Sequence, residues 1–130
     1  MRSNKKGFTL IELLAVIVIL AIIALIATPI VLNIITKARN SAAADSVYGA
    51  MEAVKLAYTE SLLDPSPKTL PLTVICASGA CDNDVTMSGT VPEGTFTLQD
   101  TDGKFASSTV TVNGISCTIA ATTNTVTCGS

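Results

Sequence analysis

The chain has 130 residues, ten acids against eight bases, and no histidine or tryptophan. The missing histidine removes the commonest general base and the commonest metal ligand together. Residues 64–130 hold six acids and two bases (Lys68 and Lys104), a net charge of −4. Such a surface does not hold a phosphate backbone unaided, and a serine or threonine nucleophile there would have little to activate it. No enzymatic activity, catalytic residue, cofactor or resident metal is expected.

Arg2, Lys5 and Lys6 open the chain with no acid among them, followed by Gly7, Phe8 and Thr9. No charged residue lies between Glu12 and Lys37, and Leu13 to Ala27 is apolar without interruption. That exceeds the ~20 residues a membrane-crossing helix needs. A cleaved secretory signal would have a shorter apolar region and a small-residue cut site; here the run continues through Ile34 and Ile35 into a helical polar pattern. The segment is therefore expected to stay in the mature protein. Basic residues flank it on both sides and favour a cytoplasmic N-terminus only slightly. Four cysteines, all beyond the helix, favour placing the chain after about residue 37 outside the cytoplasm. Pro29 lacks an N–H for the carbonyl of Leu25, so a kink or a locally melted turn is expected there.

Glu12 has two readings. Thr9 followed three residues later by Glu12 fits a capping box, and a helix N-terminus favours negative charge. Alternatively, an acid sunk partway into a bilayer needs a cation, and none lies within the next two turns. A cut between Gly7 and Phe8 would create one. A free α-amino group has a pKa of about 7.7 to 8 and is mostly charged at neutral pH.

The string KKGFTLIELL, the uncharged run after it and Pro29 resemble the N-terminus of type IV pilins and pseudopilins. The resemblance covers about residues 1–37. It implies that a membrane prepilin peptidase cuts after Gly7 and that Phe8 becomes an N-methylated terminus. It also implies that Glu12 pairs with that amine on a neighbouring subunit; Pro29 is the other family position linked to assembly. Methylation keeps the positive charge. Where many family members carry glycine, this chain has Ala21, a better helix former by about 1 kcal/mol.

After Lys37 the pattern turns amphipathic. Val47, Met51, Val54, Tyr58 and Leu62 fall on one helical face, with Asp45, Glu52 and Glu60 on others. Leu56 lies off the stripe, as a single exposed leucine or a contact to another subunit. One helix from about Phe8 to Leu63, roughly 80 Å long at 1.5 Å per residue, is expected. Pro65 and Pro67 end it.

A loop region containing CASGAC follows. Strands are expected at 94–99, 104–112, 115–119 and 124–128, rich in Thr, Val, Ile and Phe. Asn113–Gly114 is a two-residue type I′ hairpin signal. DTDG (100–103) lacks the further ligands of a calcium loop and reads as a turn. The expected fold class is α+β: a long N-terminal helix, half membrane and half amphipathic, packed on a small antiparallel four-stranded β-meander. Four cysteines allow three pairings. Short spacing favours Cys76 with Cys81, and neighbouring third and fourth strands favour Cys117 with Cys128; a zinc site built from all four is the alternative.

The organisation expected is a leader (1–7), a membrane or filament-core helix (8–36), an amphipathic continuation (37–63) and a disulfide-stapled extracellular β domain (64–130). The resemblance implies a structural subunit of an extracellular helical filament, a type IV pilus of the kind used in adhesion and motility. Its partners would be further copies of itself, the cytoplasmic membrane before assembly, prepilin peptidase and the pilus assembly machinery. Loss of the leader moves the side-chain charge from −2 to −5, since three bases go with it; direct nucleic-acid binding by the bulk filament is not expected. The alternatives are a pseudopilin or minor pilin of a type II secretion or DNA-uptake machine, or a membrane-anchored binding module that never polymerises, with Glu12 as a cap only.

Overall fold

The computed structural model describes residues 7–129. Arg2, Lys5 and Lys6 of the leader lie outside the described residues. Packing divides the chain into two units, one ending at Lys37 and the other beginning at Ala38.

One helix, α1 (Leu10–Ser61), supplies the whole of the first unit's regular structure and the start of the second. It is unbroken through Pro29, so the melted turn expected there does not form. A proline removes one backbone bond, whereas the residues around it, Ala21, Ala24 and Ala27 among them, favour helix. The Thr28 hydroxyl also donates to the Ala24 carbonyl at 2.6 Å, in the turn that the proline weakens.

In the second unit α1 buries Ala43, Val47, Ala50, Met51, Val54, Ala57 and Ser61. Three of the five stripe residues expected from the sequence, Val47, Met51 and Val54, are therefore core. Tyr58 is only half buried and Leu62 is exposed. For Leu62 the reason is the tightening of the last turn: Leu62, Leu63 and Asp64 donate to the carbonyls of Thr59, Glu60 and Ser61 at 3.3, 3.0 and 3.0 Å. Bonds of this i→i−3 kind turn the chain faster than an α-helix and carry Leu62 off the stripe. Alanines take the places between the large residues and let the sheet approach. Buried Ser61 is satisfied: its hydroxyl donates to the Tyr58 carbonyl at 2.7 Å and accepts the Lys68 N–H at 3.2 Å, closing the loop over Pro65 and Pro67.

The sheet is antiparallel throughout and has six strands, not four: β1 (Leu72–Ala77), β2 (Ala80–Cys81), β3 (Glu93–Leu98), β4 (Ser108–Val112), β5 (Ile115–Ile119) and β6 (Val126–Cys128), in the order β2-β1-β3-β4-β5-β6. The two added strands come from the segment expected to be a loop. Ser78 and Gly79, at φ 54° and 82°, make a two-residue turn that pairs Ala77 with Ala80 and Cys76 with Cys81. β1 then pairs with β3 across a long connection, Leu72 opposite Leu98 and Cys76 opposite Gly94. Asn113 and Gly114, at φ 49° and 81°, form the expected hairpin turn between Val112 and Ile115.

Period-2 burial lays one face of the sheet on α1: Leu72, Val74, Phe96, Leu98, Val110, Val112, Cys117 and Ile119 are buried, while their neighbours along the strands are largely exposed. One irregularity serves this core. The expected strand 104–112 is regular only from Ser108, and Phe105 makes an isolated bridge to Leu98. Phe105 and Val110 are five apart, so a regular strand would face them oppositely, yet both are buried. The pairings Leu98 with Phe105 and Gly94 with Val110 leave one extra residue on the later strand. That bulge turns both side chains inward.

Candidate functional site

Gly7 and Phe8 precede the helix, and Phe8 is 90% exposed. Thr9 caps α1: its hydroxyl accepts the Glu12 N–H at 3.2 Å, and its carbonyl accepts the Leu13 N–H at 3.1 Å. The return half of a capping box, Thr9 N–H to the Glu12 carboxylate, is not formed, and Glu12 has no ion-pair partner among the described residues. The carboxylate thus stands in the first turn, favoured by the helix dipole but not used by the cap.

From Leu10 to Ile35 every large apolar side chain is exposed, and the most apolar window of the helix has a mean hydropathy of 3.2 with none of it buried. The length and composition suffice to cross a membrane. Two threonines in or near this run turn back on the helix: the Thr28 hydroxyl donates to the Ala24 carbonyl, and the Thr36 hydroxyl donates to the Leu32 carbonyl at 3.0 Å. This hides their hydroxyls from an apolar surround. The sequence signal for the first of these bonds is a threonine directly before a helical proline. Gly7, Phe8 and Glu12 are thus brought to one helix start; Pro29 lies about five turns further along α1 at 3.6 residues per turn.

The cysteines lie in the other unit. Cys76 is bonded to Cys81 with Cα atoms 4.0 Å apart, and Cys117 to Cys128 at 4.1 Å. Each disulfide joins directly opposed residues of neighbouring strands, β1 with β2 and β5 with β6. All four sulfurs are used, which overturns the zinc alternative. Among the described residues no three His, Cys, Asp or Glu side chains gather as a metal site would require.

A capped helix start bearing an unspent carboxylate, a preceding Gly–Phe pair and an exposed apolar helix long enough to cross a membrane fit a membrane-anchored precursor. Residues 2–28 match the family model described as the prokaryotic N-terminal methylation motif, the class III leader of type IV pilins and pseudopilins. The matched stretch contains Gly7, Phe8 and Glu12 and ends one residue before Pro29. Comparison with curated proteins gave no match, and neither did comparison with solved structures.

Proposed function

We propose that this protein is a structural subunit of an extracellular helical filament of the type IV pilus kind. Prepilin peptidase cuts the chain between Gly7 and Phe8, and the new α-amine of Phe8 is methylated. Before assembly the helix of residues 8–36 holds the subunit in the cytoplasmic membrane; afterwards it packs with its copies in the filament core. Residues 37–63 carry the continuation of the helix to an extracellular β domain, 64–130. Glu12 pairs with the Phe8 amine of a neighbour, and its charge is what the assembly step uses.

The observation that carries this reading is the methylation motif over residues 2–28, which runs into a helix whose large apolar side chains from Leu10 to Ile35 are exposed among the described residues. Intact-mass measurement on the protein from its producing cells should show loss of residues 1–7 and gain of one methyl group at Phe8. A mass that retains Met1, or a cut elsewhere, overturns the proposal.

The same leader serves pseudopilins and minor pilins, so a role in a secretion or DNA-uptake machine follows from it equally. Electron microscopy of the producing cells separates the two, since a major pilin gives long surface filaments that disappear when this chain is deleted. A membrane-anchored binding module that never polymerises predicts the normal membrane form and no filament. For that module Glu12→Gln would be silent, because the backbone N–H of residue 12 and not its carboxylate makes the bond to Thr9.

A further inference from the structure

Arg39 lies near the start of the part of α1 that belongs to the sheet-bearing unit, and it lines a groove of about 340 Å³. Ala42, Ala43, Val112 and Ile115 also line that groove and give it an apolar floor; Ala43 and Val112 are buried, and Arg39 is exposed. Lys55 is paired with Glu52 at 2.7 Å, and Lys68 lies 3.5 Å from Asp84. Arg39 has no carboxylate within ion-pair distance among the described residues. The groove therefore sets an apolar floor beside an unused guanidinium.

A second exposed apolar feature, next to an acid, stands where α1 ends. Leu62 is 53% and Leu63 89% exposed, and exposed Asp64 follows them. Their three consecutive backbone bonds hold this tip in shape, so little ordering is needed when it is bound. An apolar cavity of about 150 Å³ accommodates a benzene ring, so the groove has room for a leucine side chain.

We propose that the groove of one copy receives the Leu63–Asp64 tip of a second copy, with Leu63 on the apolar floor and the Asp64 carboxylate on Arg39. The contact names a partner surface for the filament proposed above and rests on that reading. A guanidinium fork matches a carboxylate in two parallel bonds, which fixes orientation as well as attraction. From Ala38 onward the chain carries nine acids and four bases. Arg39 and Lys104 are the two of these bases without a carboxylate partner among the described residues, and Arg39 is the one beside the groove, so copies that otherwise repel are drawn together where an acid reaches it. Groove and tip are different surfaces, so each copy offers its tip to one neighbour and its groove to another, an arrangement that propagates as a fibre. From residue 43 to residue 63 the helix rises about 30 Å at 1.5 Å per residue, which sets the axial step between the two copies when their helices run parallel.

The test uses the full-length protein in its producing cells, with Arg39→Asp, Asp64→Arg and the double exchange. Each single change should lower the yield of sheared filament about tenfold, the equivalent of ~1.4 kcal/mol. The double exchange should restore it, and all three should leave leader removal and membrane accumulation unchanged. A photo-reactive benzoylphenylalanine at Leu63 should cross-link to the groove of another copy, at residues 39–46 or 112–115. Normal assembly of either single variant, no recovery in the double, or a cross-link elsewhere overturns the groove contact and leaves the filament reading standing. An absence of filaments from the unaltered chain would instead remove the filament reading and this contact with it.

Discussion

The Thr9 hydroxyl accepts the backbone N–H of Glu12, while the Glu12 carboxylate gives nothing back to Thr9. The two residues are therefore separable by mutation. Thr9→Ala should weaken the helix start by about 1 kcal/mol, the usual worth of an N-cap, and speed amide exchange over the first turn in detergent, with filaments still formed. Glu12→Gln should leave that exchange unchanged and abolish filaments while the cut membrane form accumulates. Equal assembly defects in the two would mean that Glu12 acts only through the cap.

Gly94 faces Val110 across the pairing of β3 and β4 at φ 147°. A Cβ there would sit 2.7 Å from Val110 Cγ1 and 3.0 Å from Val110 Cα. Gly94→Ala should cost at least about 2 kcal/mol, because overpacking and a glycine-only backbone conformation each cost ~1–3 kcal/mol. Gly114, at φ 81° with nothing within 4 Å of its Cβ position, is the control. Gly114→Ala should cost only the left-handed backbone penalty of about 1–2 kcal/mol. Denaturant midpoints of the full-length protein in detergent give both values.

The two disulfides close loops of different length, with sequence separations of 5 and 11. Chain entropy assigns the longer about 3 kcal/mol and the shorter about 2. Replacing Cys117 and Cys128 together by alanine should therefore lower the unfolding midpoint more than replacing Cys76 and Cys81. Equal shifts would show that local packing, rather than loop closure, sets their worth.

Asn124, in the connection between β5 and β6, holds the turn before the bulge. Its Oδ1 accepts the Phe105 N–H at 3.0 Å, and its Nδ2 donates to the Gly103 carbonyl at 2.7 Å. Asn124→Ala removes both bonds and leaves a partly buried N–H without a partner, at a cost of about 1–3 kcal/mol. Amide exchange at Phe105 should rise in the alanine variant and stay slow in Asn124→Asp, which keeps the acceptor. Fast exchange in both would place the Gly103 bond first.

A smaller effect is expected at Tyr48, whose hydroxyl oxygen accepts the Val126 N–H at 2.9 Å and ties edge strand β6 to the helix. Tyr48→Phe should cost about 1 kcal/mol, the net worth of a hydrogen bond, seen as faster amide exchange confined to Val126 and its neighbours.

Local signals in the sequence are legible where the structure they specify is also local. The Asn113–Gly114 turn is one case: both residues take positive φ at little cost, and the strand bounds on its far side, 115–119, follow. β1 was missed for the opposite reason. Its inward residues Leu72, Val74 and Cys76 alternate properly, but Ile75 on the outer face is 54% exposed and blurs the alternation. Three prolines precede it, and its main partner, β3, starts sixteen residues after it ends. Ser78–Gly79 was a readable turn signal of the same kind as Asn113–Gly114, weakened because serine adopts positive φ less readily than asparagine.

By itself the sequence determined the apolar helix, its cap at Thr9, the register of Gly7, Phe8 and Glu12 within the methylation motif, and the α+β class. Each of these rests on propensity, hydropathy or spacing within a few turns of chain. Tertiary structure alone decided the rest. It set six strands rather than four and placed three alanines among the seven residues of the helix's buried face. It also added the residue that turns Phe105 and Val110 to the same side. These depend on which distant segments meet, and only burying the sheet against the helix selects among the pairings that local preference leaves open.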